Sequence, residues 1–361
     1  MFLKELELQN FRCFAQKTVT FEKPITFVTG DNGVGKTTIL EAIHYLCYLK
    51  SFRSHVVTDV VHTGAESFFL KGSFERKHDF EEAQHSLQVG YFQRKKSIKL
   101  DQRPVTSFKQ ILAYFQVITL TEDDIDLIKG YPAVRRAFID QAVLFSRPDA
   151  FDEYSTFRQV VAHRNALLAS HKKVDVAEFE VWNHGLWQHS VKIQEYRTHA
   201  LKMVEIAVNS LLEQYFDGIY EVSLRYDPKF VSVEDDYETF ARKTSHLFDQ
   251  ERIMKRSMYG AHLDDIVIQI KGKKARIYAS RGQQKLISLL CKVSWASLAA
   301  GEIDHPIMLI DDFISDFDKI RLSQLVDFFM SCKNQIILTA PFCDPALKKL
   351  LEKADPDIVS L

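Results

Sequence analysis

Leu6 and Leu8 alternate with Glu5, Glu7 and Gln9, and Val19 and Phe21 alternate with Thr18 and Thr20, a period of two that predicts half-buried β-strands at the start of the chain. A further strand over residues 25–29 runs straight into Gly30. Beyond the glycines the period changes. Ile39, Ala42, Ile43 and Leu46 fall on one helical face, so the order is strand, Gly-rich turn, helix. From about residue 66 to residue 118 short apolar segments alternate with charged turns, among them RKKSIKLDQRP at 94–104, which predicts a mixed or antiparallel sheet beside that unit.

The middle of the chain is helical. Tyr154, Phe157, Val161 and Leu168 follow three-four spacing with a polar break at Arg164, and Leu201, Val204, Val208, Leu211 and Tyr215 keep it unbroken. Each run is about 20 residues, which predicts an arm of about 30 Å rather than a long coiled coil. Past Pro228 the pattern weakens until Ile266–Ile270, a strand followed by the turn Lys271-Gly272-Lys273-Lys274 and a second strand over 276–279. A helix with Leu286, Leu289, Leu290 and Val293 on one face then runs to Gly301, before the apolar run Ile307–Ile310 and a last strand over 335–338.

Composition adds boundaries rather than identity. The 361 residues are 46 % hydrophobic and 26 % charged, an ordinary core-forming balance with room for about two domains. With 47 Lys+Arg against 48 Asp+Glu, any surface for nucleic acid has to be a local patch. Cys13, Cys47, Cys291, Cys332 and Cys343 are scattered and form no C-x-x-C pair, which points to reduced thiols in a cytosolic protein. The N-terminus lacks the cationic start and apolar block of an export signal, and no window approaches 18 uninterrupted apolar residues, so membrane spanning is not expected.

GDNGVGKT, residues 30–37, fits G-x-x-x-x-G-K-[ST] between an apolar strand and an amphipathic helix. Glycines there let backbone N–H groups close around a β-phosphate, Lys36 reaches the β- and γ-phosphates, and Thr37 ligates Mg²⁺. Ile307–Ile310 followed by Asp311 and Asp312 is what a buried parallel strand looks like when carboxylates emerge at its edge. Asp311 then holds Mg²⁺ through water and Asp312 orients the attacking water; the competing reading is a helix N-cap. Ser280 with the amides of Gly282 and Gln283 forms a second anion-binding helix start, against the plainer reading of a serine N-cap. His184 and His189 have no companion at metal-ligand spacing, Trp182, Trp187 and Trp295 read as packing residues, and Ser280 near His262 lacks the G-x-S-x-G elbow of a hydrolase.

These motifs, in this order, resemble the ABC-type ATPase heads of SMC-like DNA repair proteins, and among them the RecF family. The resemblance extends through LELQNFR (6–12), GDNGVGKTTILEAI (30–43), SFRS (51–54), EDDIDLIKGYPAVRRAFID (122–140), GAHLDD (260–265), YASRGQQK (278–285) and LIDDFISDFD (309–318). It implies an α/β fold: an ABC-type P-loop head with mixed β-sheet, residues 1–148 and 250–361, and an inserted helical lobe with a short antiparallel coiled-coil arm, residues 149–249. Nucleotide contacts would come from Gly30, Asp31, Asn32, Gly33, Val34, Gly35, Lys36, Thr37 and Thr38, with Arg12; hydrolysis would rest on Lys36, Asp311 and Asp312. In the family the S-x-G-Q segment, here Ser280, Gly282 and Gln283, binds the γ-phosphate of ATP held by a second copy, and Ser315, Asp316 and Asp318 form the loop beside it. ATP and Mg²⁺ are thus the implied cofactors, and an ATP-induced homodimer the implied assembly.

The resemblance further implies sequence-independent binding to duplex, gapped or single-stranded DNA, slow hydrolysis, recombinase loading at gaps, SOS induction, and RecR, RecO and RecA as partners. Several positions depart from the family pattern: Asp312 stands where faster ABC ATPases have glutamate, Arg281 where Gln or Glu is usual, Thr121 for Pro, Tyr131 for a small residue, Ala261 for Pro, Leu263 for Arg and Phe317 for Leu. Three basic runs compete for DNA: Lys129, Arg135 and Arg136; Arg94, Lys95, Lys96 and Lys99; and Lys271, Lys273, Lys274 and Arg276, each of which also reads as a solvated face. The rival functions are the engine of a membrane transporter, which predicts histidine where this chain has Thr339, and an ATP-regulated nuclease, which needs a further acidic metal-binding domain.

Overall fold

The computed structural model describes residues 1–78, 81–170, 175–216, 218, 220–230, 232–298, 305–312, 317–339 and 355–361. The alternating start forms β1 (Phe2–Phe11) and β2 (Phe14–Thr20), followed by β3 (Ile25–Thr29) and helix α1 (Lys36–Tyr48). β4 (Phe68–His78), β5 (Glu81–Phe92), β6 (Lys95–Leu100) and β7 (Arg103–Pro104) come next, then α2 (Phe108–Tyr114) and β8 (Val117–Leu120). The helical middle holds α3 (Asp126–Lys129), α4 (Pro132–Ser146), α5 (Ala150–Ala169) and α6 (Val176–Tyr215). It continues through β9 (Val222–Asp227), α7 (Tyr237–Thr244), α8 (Phe248–Met254), β10 (Asp265–Ile270), β11 (Lys273–Lys274), α9 (Ala275–Tyr278), α10 (Arg281–Val293) and α11 (Trp295–Leu298). β12 (Ile307–Asp311), α12 (Lys319–Ser331), β13 (Ile336–Thr339) and β14 (Asp357–Ser360) close the order.

The chain divides into two compact units, one of residues 1–124, 213–218 and 299–361, the other of 125–212 and 219–298. Residues 125–148 and 250–298, which the motif reading assigns to the head, cluster with the second unit. In the first unit, β2-β1-β4-β5-β6-β7 form an antiparallel sheet and β14-β3-β13-β12-β8 a parallel one. The hairpin turns at Gln93-Arg94 and Asp101-Gln102 have positive φ at both central residues, the conformation whose twist matches the strands they join. Helix α1 touches both sheets, and every residue from Thr38 to Tyr48 is buried. The one-faced pattern of Ile39, Ala42, Ile43 and Leu46 therefore understates it, because two layers cover opposite sides of the helix. The Gln335 amide ties strand β1 to this unit, accepting from the Leu3 N–H at 2.7 Å and donating to its carbonyl at 2.9 Å.

In the second unit α5 and α6 are antiparallel: Glu153 meets His189, Val160 lies under Gly185, and His163 stacks on Trp182 at 4.5 Å. Helix α5 has the 20 residues expected, but α6 has 40, about 60 Å at 1.5 Å per residue, because the run ending at Tyr215 is continuous with the segment carrying Trp182 and Trp187. The polar break at Arg164 proves to be a buried ion pair. Its guanidinium lies between the Phe179 and Tyr259 rings, 4.7 and 4.5 Å from their centroids, and bonds Glu251 through both nitrogens at 2.8 and 2.7 Å. Trp295 packs on Phe138 and Phe145, as a core residue should. The strand expected over 276–279 is instead the one-turn helix α9; the hairpin ends at Lys274, and Ala275 is fully buried at the start of the turn. No helix among the described residues is long and apolar enough to cross a membrane.

Candidate nucleotide site

The strand–turn–helix order places the Gly-rich loop between β3 and α1, at the carboxyl edge of the parallel sheet, where open α/β sheets bind ligands. Gly35 shows why glycine is needed. Its φ is +112°, and a Cβ there would stand 2.7 Å from Cys13 Sγ and 2.6 Å from the Phe14 ring, because the β1–β2 hairpin tip lies against the loop. Lys36 is buried and its ammonium reaches back to the carbonyls of Gly30 at 2.8 Å and Asp31 at 3.0 Å. Asp31, Asn32 and Gly33 form the exposed rim, while Thr38 is buried under the hairpin tip.

Parallel pairing brings the acidic strand to the same place. The Thr37 hydroxyl donates to Asp311 Oδ1 at 2.9 Å, and Thr339, paired in register with Asp311 on β13, donates to the same oxygen at 2.8 Å. Thr339 Oγ1 also accepts the Asp312 N–H at 3.1 Å, so one hydroxyl fixes both acids. Asp312 has φ +46°, a left-handed turn directly after the strand that a non-glycine residue adopts at a cost and that recurs at functional sites. Partial burial, then the neighbouring Asp311 charge, push its carboxyl above the usual carboxylate range, against the pull of Lys36; Glu122 adds to the push.

Thr37 and Asp311 thus bring hydroxyl and carboxylate oxygens to one point, the hard-oxygen chemistry of Mg²⁺. Among the described residues no group of three or more His, Cys, Asp or Glu stands close enough together to hold a metal ion.

Arg12, at the hairpin tip with φ +52°, makes a two-pronged bond to buried Glu41 at 2.9 and 2.6 Å and donates to the Asp59 carbonyl at 2.6 Å. Ser51 of SFRS donates to Glu41 and accepts the Arg53 and Ser54 N–H groups at 2.8 and 3.0 Å. Neither Glu41 nor Thr339 is singled out by periodicity. The one sequence signal for Glu41 is an acid on the otherwise apolar core face of α1.

Ser280 lies in the second unit, where it caps α10 in a full capping box: its hydroxyl accepts the Gln283 N–H at 3.3 Å and its N–H meets the Gln283 side chain at 2.8 Å. A Cβ at Gly282 would meet nothing within 4 Å, so no packing inside the chain demands glycine there. Ser315 and Asp316 lie outside the described residues. Asp318 caps α12, accepting the Ile320 and Arg321 N–H groups at 3.0 and 2.9 Å.

The first DNA patch needs correction. Arg135 is buried and bonds both Asp265 oxygens, at 2.7 and 3.0 Å, and the Gly130 carbonyl; Arg136 donates to the Asp264 carbonyl at 2.7 Å. Burial and the Arg197 charge also lower the Arg136 pKa. Of that patch only Lys129 is exposed, whereas Arg94, Lys95, Lys96 and Lys99, and Lys271, Lys273, Lys274 and Arg276, are exposed throughout.

The chain is 28 % identical over 342 residues to the DNA replication and repair protein RecF of Desulfitobacterium hafniense, covering 93 % of each. A solved structure of the recombination mediator protein RecF with ATP, of the RecFOR pathway, superposes with TM-score 0.84 at 23 % identity, covering 95 % of this chain and 93 % of that one. An Smc head bound to the C-winged helix domain of ScpA gives TM-score 0.56 at 16 % identity, over 100 % of this chain and 94 % of that one. The fold is accordingly that of the SMC and RecF ATPase heads. The family model described as RecF/RecN/SMC N terminal domain matches residues 2–348, and the chain belongs to that family.

Proposed function

We propose that this chain is a RecF-type ATP-dependent DNA clamp in replication and repair. The observation that carries the reading is the meeting of Thr37, Asp311, Asp312 and Thr339 beneath the phosphate loop, which joins a phosphate cradle to a metal-binding carboxylate and a second acid with a raised pKa. Backbone N–H groups of residues 33–37 and the Lys36 ammonium hold the β- and γ-phosphates of ATP; Thr37 and Asp311 hold Mg²⁺, which when bound neutralises phosphate charge. Asp312 accepts the proton of the attacking water. Its carboxylate is one methylene shorter than the usual glutamate, which suits slow turnover and a timer rather than a motor.

The γ-phosphate is completed by a second copy of the chain. Gly282 leaves the start of α10 open, and Ser280 is exposed there with its hydroxyl at a helix N-terminus, where an anion is favoured. Because each copy carries one cradle and one such helix start, two-fold pairing fills both sites and makes ATP the glue of the dimer. The RecF relative and the RecF–ATP structure support ATP as the nucleotide and DNA as the partner. Support of recombinase loading at gaps, SOS induction and association with RecR, RecO and RecA belong to the same reading. Residues 149–249 act as the DNA-gripping lobe.

The test is mass by light scattering with and without ATP. Wild type is expected to dimerise on ATP, Lys36→Arg to stay monomeric, and Ser280→Arg to bind ATP yet stay monomeric. A Ser280→Arg protein that dimerises normally removes the trans role of Ser280.

A further inference from the structure

Helix α1 leaves the phosphate loop at Lys36, and one turn beyond Thr37 it places Glu41, whose carboxylate is fully buried between the two sheets. A buried carboxylate persists only where charge and hydrogen bonds compensate it. Three groups converge on this one: the Arg12 guanidinium through two nitrogens, the Ser51 hydroxyl, and the Arg53 guanidinium at 3.8 Å. Ser51 in turn holds the backbone of Arg53 and Ser54, and Ser54 donates to the Asp59 carboxylate at 2.5 Å. Asp59 meets Arg12 through its backbone carbonyl. One buried acid thus anchors two guanidinium groups, with the Asp59 carboxylate held nearby by Ser54.

The chain carries this cluster directly to the phosphate cradle. Cys13, the residue after Arg12, places its sulfur 3.9 Å from the Val34 carbonyl and 3.8 Å from Thr38 Oγ1. Three N–H groups of Arg12 are engaged by Glu41 and Asp59, which fixes the plane of the fork and leaves its remaining N–H groups as the ones an added anion would take.

Building on the ATP reading above, we infer that Glu41 is a positioning residue: it locks Arg12 in the orientation that meets a nucleotide phosphate, and it does so from the same helix that carries Lys36 and Thr37. A rigid link of this kind means that the hairpin tip, the Ser51–Ser54 turn and the cradle move as one body when nucleotide binds. Glu41 itself touches no nucleotide.

The experiment is a double-mutant cycle on ATP affinity, measured by titration of a fluorescent ATP analogue, with thermal melts as the check on folding. Glu41→Gln and Arg12→Ala are each expected to weaken binding about tenfold, the scale of one charge-assisted hydrogen bond. In the Arg12→Ala background Glu41→Gln is expected to add nothing. An equal loss from Glu41→Gln in both backgrounds, or wild-type affinity for Glu41→Gln, overturns the inference, because a purely structural role would not depend on Arg12. If Glu41→Gln does not fold, Arg12→Lys carries the test. It keeps the charge but loses the two-pronged bond, so affinity as low as that of Arg12→Ala is expected and wild-type affinity overturns the claim. Lys36→Ala separates the two levels. If it still binds ATP, the nucleotide reading fails; if it loses ATP while the Glu41 and Arg12 variants bind normally, only the positioning role fails.

Discussion

Thr339 occupies the position where a transporter engine would carry histidine, and its single hydroxyl both donates to Asp311 and accepts from the Asp312 backbone. Thr339→Val keeps the shape and removes both bonds. It is expected to lower the hydrolysis rate about tenfold or more while ATP affinity stays within about threefold, since binding rests on the cradle. Equal losses in rate and affinity would show that the hydroxyl acts on binding instead. His262 gives a second residue-scale expectation. Burial pushes its pKa from 6.5 down to about 4, against a hydrogen bond with the Ser257 backbone and with help from Arg136, Arg164 and Arg197. A histidine held neutral in the fold binds its proton more readily when unfolded, so stability is intact above the unfolded pKa and falls as pH drops from 6.5 towards 4. Melting temperature across that window should fall less steeply for His262→Gln; parallel curves for the two proteins would sink the assignment.

At the scale of elements, the second unit is held by charge as well as by apolar packing. Arg164 of α5 and Glu251 of α8 are both fully buried, and Ser257 and Tyr259 accept from the same guanidinium. Arg197 of α6 bonds Asp140 of α4 at 2.7 and 3.0 Å and the Ala261 carbonyl at 2.6 Å. Deleting one partner of such a pair strands the other charge away from water, so Glu251→Ala should cost about 3–5 kcal/mol in denaturant melts. Arg164→Met with Glu251→Leu should recover most of that loss, and a double variant as unstable as the single would mean that the pair itself, rather than the orphaned charge, matters. The GAHLDD motif owes its composition to this network. Asp264 accepts from Gln194, Tyr226 and the Lys229 N–H, and Asp265 holds Arg135. Ala261 and Leu263 stand within the same motif without disturbing these bonds.

For the whole molecule, a net charge of -1 means that DNA affinity has to come from local runs. Phosphate contacts release counterions, so removing one lowers the salt slope of log affinity by about one unit, whereas removing a structural arginine does not. The exposed hairpin Lys271, Lys273 and Lys274 changed to Ala should therefore flatten the slope by about two to three units. Arg135→Ala should melt earlier with an unchanged slope, given its bonds to Asp265. A flattened slope for Arg135→Ala, or none for the hairpin, would reverse the assignment of the patches.

The local code was legible where a short stretch carries its own reason. Strand alternation, the glycines of the phosphate loop, the Ser280 cap and the apolar strand ending in two acids all follow from spacing and backbone conformation, and they are enough to expect a nucleotide site. Three things were decided only in three dimensions. Helix α1 is buried all round because two sheets cover it, which no one-dimensional period encodes. Arg135 and Arg164, read as a surface cation and a polar break, are buried ion pairs because their acids lie more than a hundred residues away or on another helix, in Asp265 and Glu251. Glu41 and Thr339 join the site because parallel register and the hairpin tip bring distant segments onto the loop. Sequence by itself determined what each segment prefers; which charges are neutralised and which stay available to a ligand was set by pairing across the fold, since desolvation and Coulomb energy depend on distance in space and not along the chain.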